Sequence, residues 1–443
     1  MSALLPLSER SEDRDSPQQP DDGPVPQDTY EFDHGCQFFR ADSARMRELC
    51  TDWCARGWAA QWKGRFGRCG EAATAGGDFF GLPADGSPVF IGVGGMQKLP
   101  RAILGESAGV FVHAGVRVVS VGRCCEHGSG DGLGGRWLLE GVGGVAAFHD
   151  TPEAQAAAAQ PRPLGEFEFV LLTDVSSSFE SWHRASAGVP EAIASRVRNR
   201  VRVPLFSCMV ALPTALTVPL DGITFGDGSD DGAADGAGDC PVWFAARTSS
   251  KPGLEAAGAQ HGADCWTLVS TPTFAAAEIS RVTMQDETTG AFKPQEDSYL
   301  NAEPGPALYR AFLQAVSPLL PPGAPPPPPS PLYLQGQRWG SAFPAPAAID
   351  GRDELGHGPT SRRIVGVEYE TGVPPLMYER PPAAADASSD GDRDFIADDA
   401  AGLYYAGDYC SRRAPGFEAA CLSGVAAAEH IAALVGKDAV GRT

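Results

Sequence analysis

This sequence is short of positive charge, of long apolar runs, of a cysteine framework and, over its first residues, of any hydrophobic strand. Lys and Arg number 35 against 56 Asp and Glu, a net charge of −21. A phosphate backbone or an anionic lipid surface requires a basic partner, so neither nucleic acid nor membrane binding is expected. No apolar run reads as the ~20 residues that a spanning helix needs. Residues 1–30, rich in Ser, Pro, Asp and Glu, hold no apolar signal region and too much acid for an organellar presequence. The eleven cysteines are odd in number and scattered, which predicts reduced thiols in a cytoplasmic protein. Cys50, Cys54 and Cys69 form the only cluster. They lack the two-pair spacing of a zinc site, so no metal is expected. No protein partner is evident.

The rest is globular in character. At 443 residues, 43% of them apolar, the chain can bury a sizeable core and is long enough for two or three domains. Four segments have too little apolar content to bury: the leader 1–30 and the inserts 226–240, 320–331 and 380–393, the third a proline run. Between them, Met46, Leu49, Trp53 and Trp58 sit at helical spacings across 43–62. Residues 110–112, 116–121 and 136–142 read as a small antiparallel meander. Residues 167–173 read as one buried parallel strand. Residues 205–212, 242–246 and 265–270 follow one another without helices, as in a separate antiparallel sheet. Helices are predicted over 306–316 and 417–435. A parallel sheet plus a separate antiparallel one predicts a two-lobed α/β (α+β) protein.

Four motifs carry chemical potential. The first is Leu403-Tyr404-Tyr405-Ala406-Gly407-Asp408, followed by a helix from Phe417-Glu418. A carboxylate at a strand tip can accept hydrogen bonds from ligand hydroxyls, and the helix start offers backbone N–H groups. Ala419, Ala420, Ser423, Gly424, Ala427 and Ala428 keep one helix flank small. The second is Asp33-His34-Gly35-Cys36-Gln37-Phe38-Phe39, a turn suited to bringing backbone close to a ligand. The third is Gly92-Val93-Gly94-Gly95-Met96, an incomplete phosphate loop. The fourth is Gln337-Arg338-Trp339, a cation beside an aromatic ring. Each also reads as ordinary structure: a packing helix, a loop, a turn, a surface arginine beside a core tryptophan.

As an ordered set, these motifs resemble the renalase-like branch of the FAD-dependent amine oxidase superfamily, over residues 31–435. Asp33-His34-Gly35-Cys36-Gln37-Phe38-Phe39 is similar to that branch's Asp-x-Gly-Ala-Gln-Tyr-Phe. Gly95-Met96 is similar to its Gly-Met turn, and Val118 to the valine that lies against adenine. Gln337-Arg338-Trp339 resembles its His-Arg-Trp. Gly407-Asp408 with Phe417-Glu418-Ala419-Ala420 and Ser423-Gly424 resembles its closing segment, and Ser250-Lys251-Pro252-Gly253 with Cys265-Trp266 its paired substrate-domain strands.

The resemblance implies non-covalent FAD held by Gly407, Asp408, Phe417, Glu418, Ala419, Ser423, Val118, Gly35, Gln37, Gly95 and Met96. It implies a discontinuous FAD-binding domain (31–36, 90–178, 395–443) and a substrate domain (37–89, 179–345). The activity implied is hydride transfer from a small amine or dihydropyridine substrate to the flavin, with O₂ as acceptor. Trp243, Trp266, Arg338 and Trp339 are the candidate substrate walls, and no catalytic base stands out. The family's N-terminal strand, Gly-x-Gly-x-x-Gly turn and helix have no counterpart in residues 1–30. Ala419 also replaces a glycine and Gln337 a histidine. Two rival readings remain. One is a non-catalytic remnant or binding module unable to hold FAD. The other is an NAD(P)-using reductase with its cofactor at Gly92–Met96.

Overall fold

The computed structural model describes residues 30–69, 88–123, 136–143, 160–173, 190, 193, 202–225, 240–255, 262–282, 297–344, 393–411 and 416–441. The leader and the inserts 226–240 and 380–393 lie outside these, save Tyr30, Cys240 and Arg393 at their ends.

The larger body is built on a six-stranded sheet. Its members are β2 (Phe66–Arg68), β8 (Arg202–Leu212), β9 (Gly222–Thr224), β10 (Val242–Arg247), β11 (Asp264–Ser270) and β12 (Tyr333–Pro344), in the order β12-β8-β11-β10-β9-β2. Every neighbouring pair is antiparallel except β2 with β9. Both faces are covered, so every residue of β11 is buried, the polar Asp264, Thr267 and Ser270 included. The pleat sends Phe206, Cys208, Val210, Trp266 and Leu268 to one face. There they meet Ala275 and Ile279 of α3 (Pro272–Arg281), Leu300 of α4 (Asp297–Ala302) and Leu308 and Phe312 of α5 (Pro304–Val316). Leu205, Phe244, Ala246 and Val269 go to the other face, against Phe39, Trp62 and α1 (Ala44–Ala55).

Helix α1 shows how local sequence sets an element. Ser43 caps it, its hydroxyl accepting the Met46 N–H at 3.2 Å. Met46, Cys50 and Trp53 then form its buried stripe. The spacing predicted a helix as far as Trp62. The helix ends instead before Gly57, whose φ of +73° reverses the chain. Trp58 thus leaves the helix, and Ala59–Gln61 (β1) pairs with Phe90–Gly92 (β3). Helix α2 (Lys98–Gly105) follows β3 and buries Leu99 in the same core. Residues 90–105 therefore pack with the larger body, not with the FAD-binding portion to which the sequence assigned them.

The smaller body has three layers. Its centre is β13 (Ile396–Asp398), β14 (Leu403–Tyr405) and β7 (Val170–Leu172), with β14 parallel to β7. Helix α6 (Phe417–Gly441) covers the face carrying Tyr404 and Ala406. The meander β4 (Val116–Arg123), β5 (Trp137–Gly143) and β6 (Arg162–Phe167) meets the face carrying Leu403 and Tyr405. The architecture is thus mixed α/β.

Four expectations need correction. Residues 167–173 are not one strand: Phe167 closes β6, and the parallel strand is only Val170–Leu172. Residues 110–112 form no strand, and Phe111 is 74% exposed. The proline run 320–331 is a placed loop, with the Tyr309 hydroxyl donating to the Pro328 carbonyl at 2.5 Å. One helix does have spanning length: Phe417–Gly436, with mean hydropathy 1.5, is long and apolar enough to cross a bilayer by length and composition alone. Seven of these twenty residues are alanine and Glu429-His430 interrupts them, which is why no run of large apolar residues announces the helix in the sequence. In the structure Ala419, Leu422, Ser423 and Ala427 of this helix are buried against protein.

Candidate functional site

The strip Asp33–Gln37 crosses the α1 face of the large sheet and is held from below by side chains. Lys251, fully buried in the loop between β10 and β11, donates to Asp33 Oδ2 at 3.1 Å and to Gln37 Oε1 at 3.0 Å. Its ammonium also lies 5.4 Å from the Trp62 ring centroid. Burial pulls the Lys251 pKa below its ordinary value, with the Asp33 charge opposing. Asp33 Oδ1 accepts the Met96 N–H at 2.7 Å, which ties the Gly-rich turn to the same anchor. The carbonyls of residues 33 to 35 are all engaged. Asp33 O accepts from Gln37 Nε2 and Thr267 Oγ1, His34 O from Ser207 Oγ and Trp339 Nε1, and Gly35 O from Gln37 Nε2. Among the described residues, nothing accepts from the backbone N–H of His34, Gly35 or Cys36.

Trp339 stacks on His34, with centroids 5.2 Å apart and an interplanar angle of 10°. Glycine at 35 permits this approach, since a Cβ there would lie 3.3 Å from the indole. Cys36 is exposed, its thiol donating to the Phe38 carbonyl at 3.2 Å. Desolvation pushes its thiol up to about 11; Lys251 opposes, while Asp33 and Asp408 push the same way.

The two motifs meet where Phe39 stacks on Phe417, centroids 4.4 Å apart, and Glu418 accepts from the N–H groups of Asp42 and Ser43. Asp408 follows the C-terminal end of β14, where the Ala406 N–H still bonds Leu172 O and the Gly407 N–H turns to Ser423 Oγ. Desolvation raises the Asp408 carboxyl to about 6, partly offset by the backbone N–H groups of Tyr409, Asp408 and Gly416. Helix α6 begins next to it. The N–H groups of Phe417, Glu418 and Ala419 have no acceptor among the described residues.

The structure distributes the expected site residues unevenly. Gly35 lies against the Trp339 indole, Gly407 and Asp408 follow the end of β14, and Ala419 is buried in the first turn of α6. Gln37 lies beneath it, turned to Lys251. Val118 belongs to the smaller body, packed on the cluster of Tyr405, Tyr409 and Cys410. Phe417 stacks on Phe39 at 4.4 Å and fills core. Ser423 Oγ bridges the Gly407 N–H and Asp394 O, which makes it a brace for the strand end. Glu418 accepts from the N–H groups of Asp42 and Ser43, at 2.7 and 3.0 Å, and so holds the start of α1. Glu418→Ala is expected to lower stability by about 1–2 kcal/mol with Glu418→Gln in between, read by urea denaturation; equal stability of all three would remove this role.

Three expectations fail on the pleat and on burial. Arg338 and Trp339 cannot share a wall, because neighbours in a strand point to opposite faces. Arg338 pairs with Phe206 on the α3–α5 side, and Trp339 with Leu205 on the other. The Arg338 Nε and Nη1 are buried without acceptors, and desolvation lowers its pKa to about 10. Trp266 is fully buried on Arg338's face, its Nε1 bonded to Asp264. Trp243 is 5% exposed and packs in the α1-side core. The N–H groups of the Gly92–Met96 turn are also committed. Gly94 donates to Pro252 O, Gly95 to Gly92 O and Met96 to Asp33, so this turn has none left for a cofactor phosphate. The cysteine cluster separates: Cys50 and Cys54 pack in the α1-side core, while Cys69 reaches Ala315 O on the other side of the sheet.

No protein-family model matches the chain, and a search of curated proteins found no match. Among solved structures, cyclohexylamine oxidase from Brevibacterium oxydans IH-35A is similar over 80% of this chain, at 12% sequence identity and a TM-score of 0.38. The match covers 55% of that oxidase, so the chain spans about half its length.

Proposed function

We propose that the chain is a flavin-dependent oxidoreductase of amine oxidase type, acting on a small amine or dihydropyridine and located in the cytoplasm. One observation carries the reading: Phe39 stacks on Phe417 and Glu418 holds Asp42 and Ser43, which sets the start of α6, with its open N–H groups and the neighbouring strand-end carboxylate Asp408, against the segment that carries the open N–H edge of His34–Cys36. This donor set fits the ring and ribityl half of FAD. Donors suit the electron-rich ring edge, a carboxylate suits hydroxyls, and the buried Ala419 and the glycine at 35 leave room for a flat ring. Bound there, a flavin supplies hydride acceptance and its own reoxidation by O₂.

The chain's own residues bind and orient. Asp408, charged above about pH 6, accepts from ligand hydroxyls. The start of α6 offers its N–H groups and positive end to a negative ring edge. Trp339 and His34, stacked on each other, offer a flat aromatic surface on one side. No side chain is assigned as a proton acceptor.

A second reading, a binding module unable to hold FAD, is favoured by one observation. The Gly92–Met96 turn, the phosphate-loop candidate, has spent its N–H groups on protein. The visible spectrum of the purified protein, before and after adding FAD and desalting, separates the two. Retained flavin bands are expected, and a protein that neither carries nor takes up flavin would favour the module.

A further inference from the structure

Lys251 plays no part in the chemistry above, yet it is a fully buried ammonium, which a fold rarely tolerates without a partner. Its bonds explain the orientation of the strip above it. Lys251 fixes the Gln37 carboxamide by its oxygen, and this aims the Gln37 Nε2 at the carbonyls of Asp33 and Gly35. Lys251 also fixes one Asp33 oxygen, while the other holds the Met96 N–H. Ser207 and Trp339 take the His34 carbonyl, and Thr267 shares that of Asp33. Every carbonyl from 33 to 35 thus faces a donor supplied by the protein. A backbone whose C=O groups are tied down on one side presents its N–H groups on the other, and three of these lack acceptors among the described residues. His34 and Cys36 are exposed, so these open backbone donors are completed by water or by a ligand rich in acceptors.

We propose that Lys251, with Asp33 and Gln37, is a positioning clamp that turns the N–H edge of His34–Cys36 toward the ligand, where it binds the acceptor-rich edge of the flavin ring. This rests on the flavin reading. Lys251 touches no ligand; it acts through Gln37 and Asp33. Lysine is suited to the task because three donors on one nitrogen can grip a carboxylate and a carboxamide at once.

The test uses the full chain with FAD as probe, in wild type, Lys251→Met and Gln37→Met. Gln37→Met keeps the shape and the Lys251–Asp33 pair, so it gives a folded variant should Lys251→Met fail to fold. Three quantities are read: FAD affinity, the absorption bands of the bound flavin, and amide hydrogen exchange over residues 30–39 with and without FAD. In wild type, FAD is expected to slow exchange in that segment. In both variants affinity should fall at least about tenfold, the flavin bands should shift, and the protection should disappear. A purely structural role would change melting and leave the bands and the protection as they are. FAD uptake by wild type that Gln37→Met leaves unchanged in all three quantities overturns the clamp alone. No FAD uptake by wild type overturns the flavin reading and the clamp with it.

Discussion

Asp33→Ala is expected to be the most damaging single substitution in the chain, costing about 3–5 kcal/mol. Removing one partner of a buried ion pair leaves a charge that neither water nor protein compensates. Here that charge is the Lys251 ammonium, fully buried, left with Gln37 Oε1 as its one oxygen partner among the described residues. The Met96 N–H loses its acceptor as well, which detaches the Gly94–Gly95 turn from the strip. The deficit should depend on pH in a defined direction. Burial already lowers the Lys251 pKa, and loss of the opposing Asp33 charge lowers it further. Between that lowered value and the ordinary 10.5, the unfolded chain binds more protons than the folded one. Stability therefore rises with pH across this window, and the variant should recover part of its deficit at pH 9 relative to pH 7. Asp33→Ala/Lys251→Met should be more stable than Asp33→Ala, because it removes the stranded charge. Urea denaturation at the two pH values measures all of this. A double variant no better than the single one would mean that the pair is not the anchor.

Asp408→Asn should do two opposite things. Its carboxyl titrates near 6 against an ordinary 3.8, because the charged form is desolvated at the strand end. The folded chain therefore holds the proton more tightly, and stability falls as pH rises from about 4 to 6 and stays lowered above it. Two pKa units correspond to ~3 kcal/mol, and partial exposure reduces the effect to ~1–2 kcal/mol. Asparagine carries no charge, so the variant should show no such fall and should melt higher than wild type at pH 7. The same change takes a charged acceptor from the ligand. FAD affinity should drop by ~1.5–3 kcal/mol, or about 10–150-fold. A variant both less stable at pH 7 and unimpaired in FAD binding would refute both statements.

The local elements were largely legible in the sequence. The apolar runs that became β8, β10 and β11, the α5 and α6 helices and the Gly407–Asp408 strand end announced themselves, because strand and helix periods and turn residues are local signals. Of the meander, β4 and β5 were read but β6 was not: the third strand was expected at 110–112, which pairs with nothing among the described residues, and it lies instead at Arg162–Phe167. Asp33 and Lys251 stood in segments that the resemblance had drawn attention to, and yet neither was assigned a role. They lie 218 positions apart, and no propensity or spacing encodes that meeting.

What the sequence by itself determined is the mixed α/β character, the acidic surface and the two glycine-bearing turns at 35 and 407. These follow from composition and short-range pattern. Only the tertiary structure decided which residues gather around the Asp33–Gln37 strip. It turned Arg338 away from Trp339, sank Trp243 and Trp266 into cores, and spent Glu418 and the Gly92–Met96 turn on protein partners. The physical reason is shared: the face of a pleat and the acceptor of an N–H are properties of the packed sheet, fixed by neighbours distant in sequence.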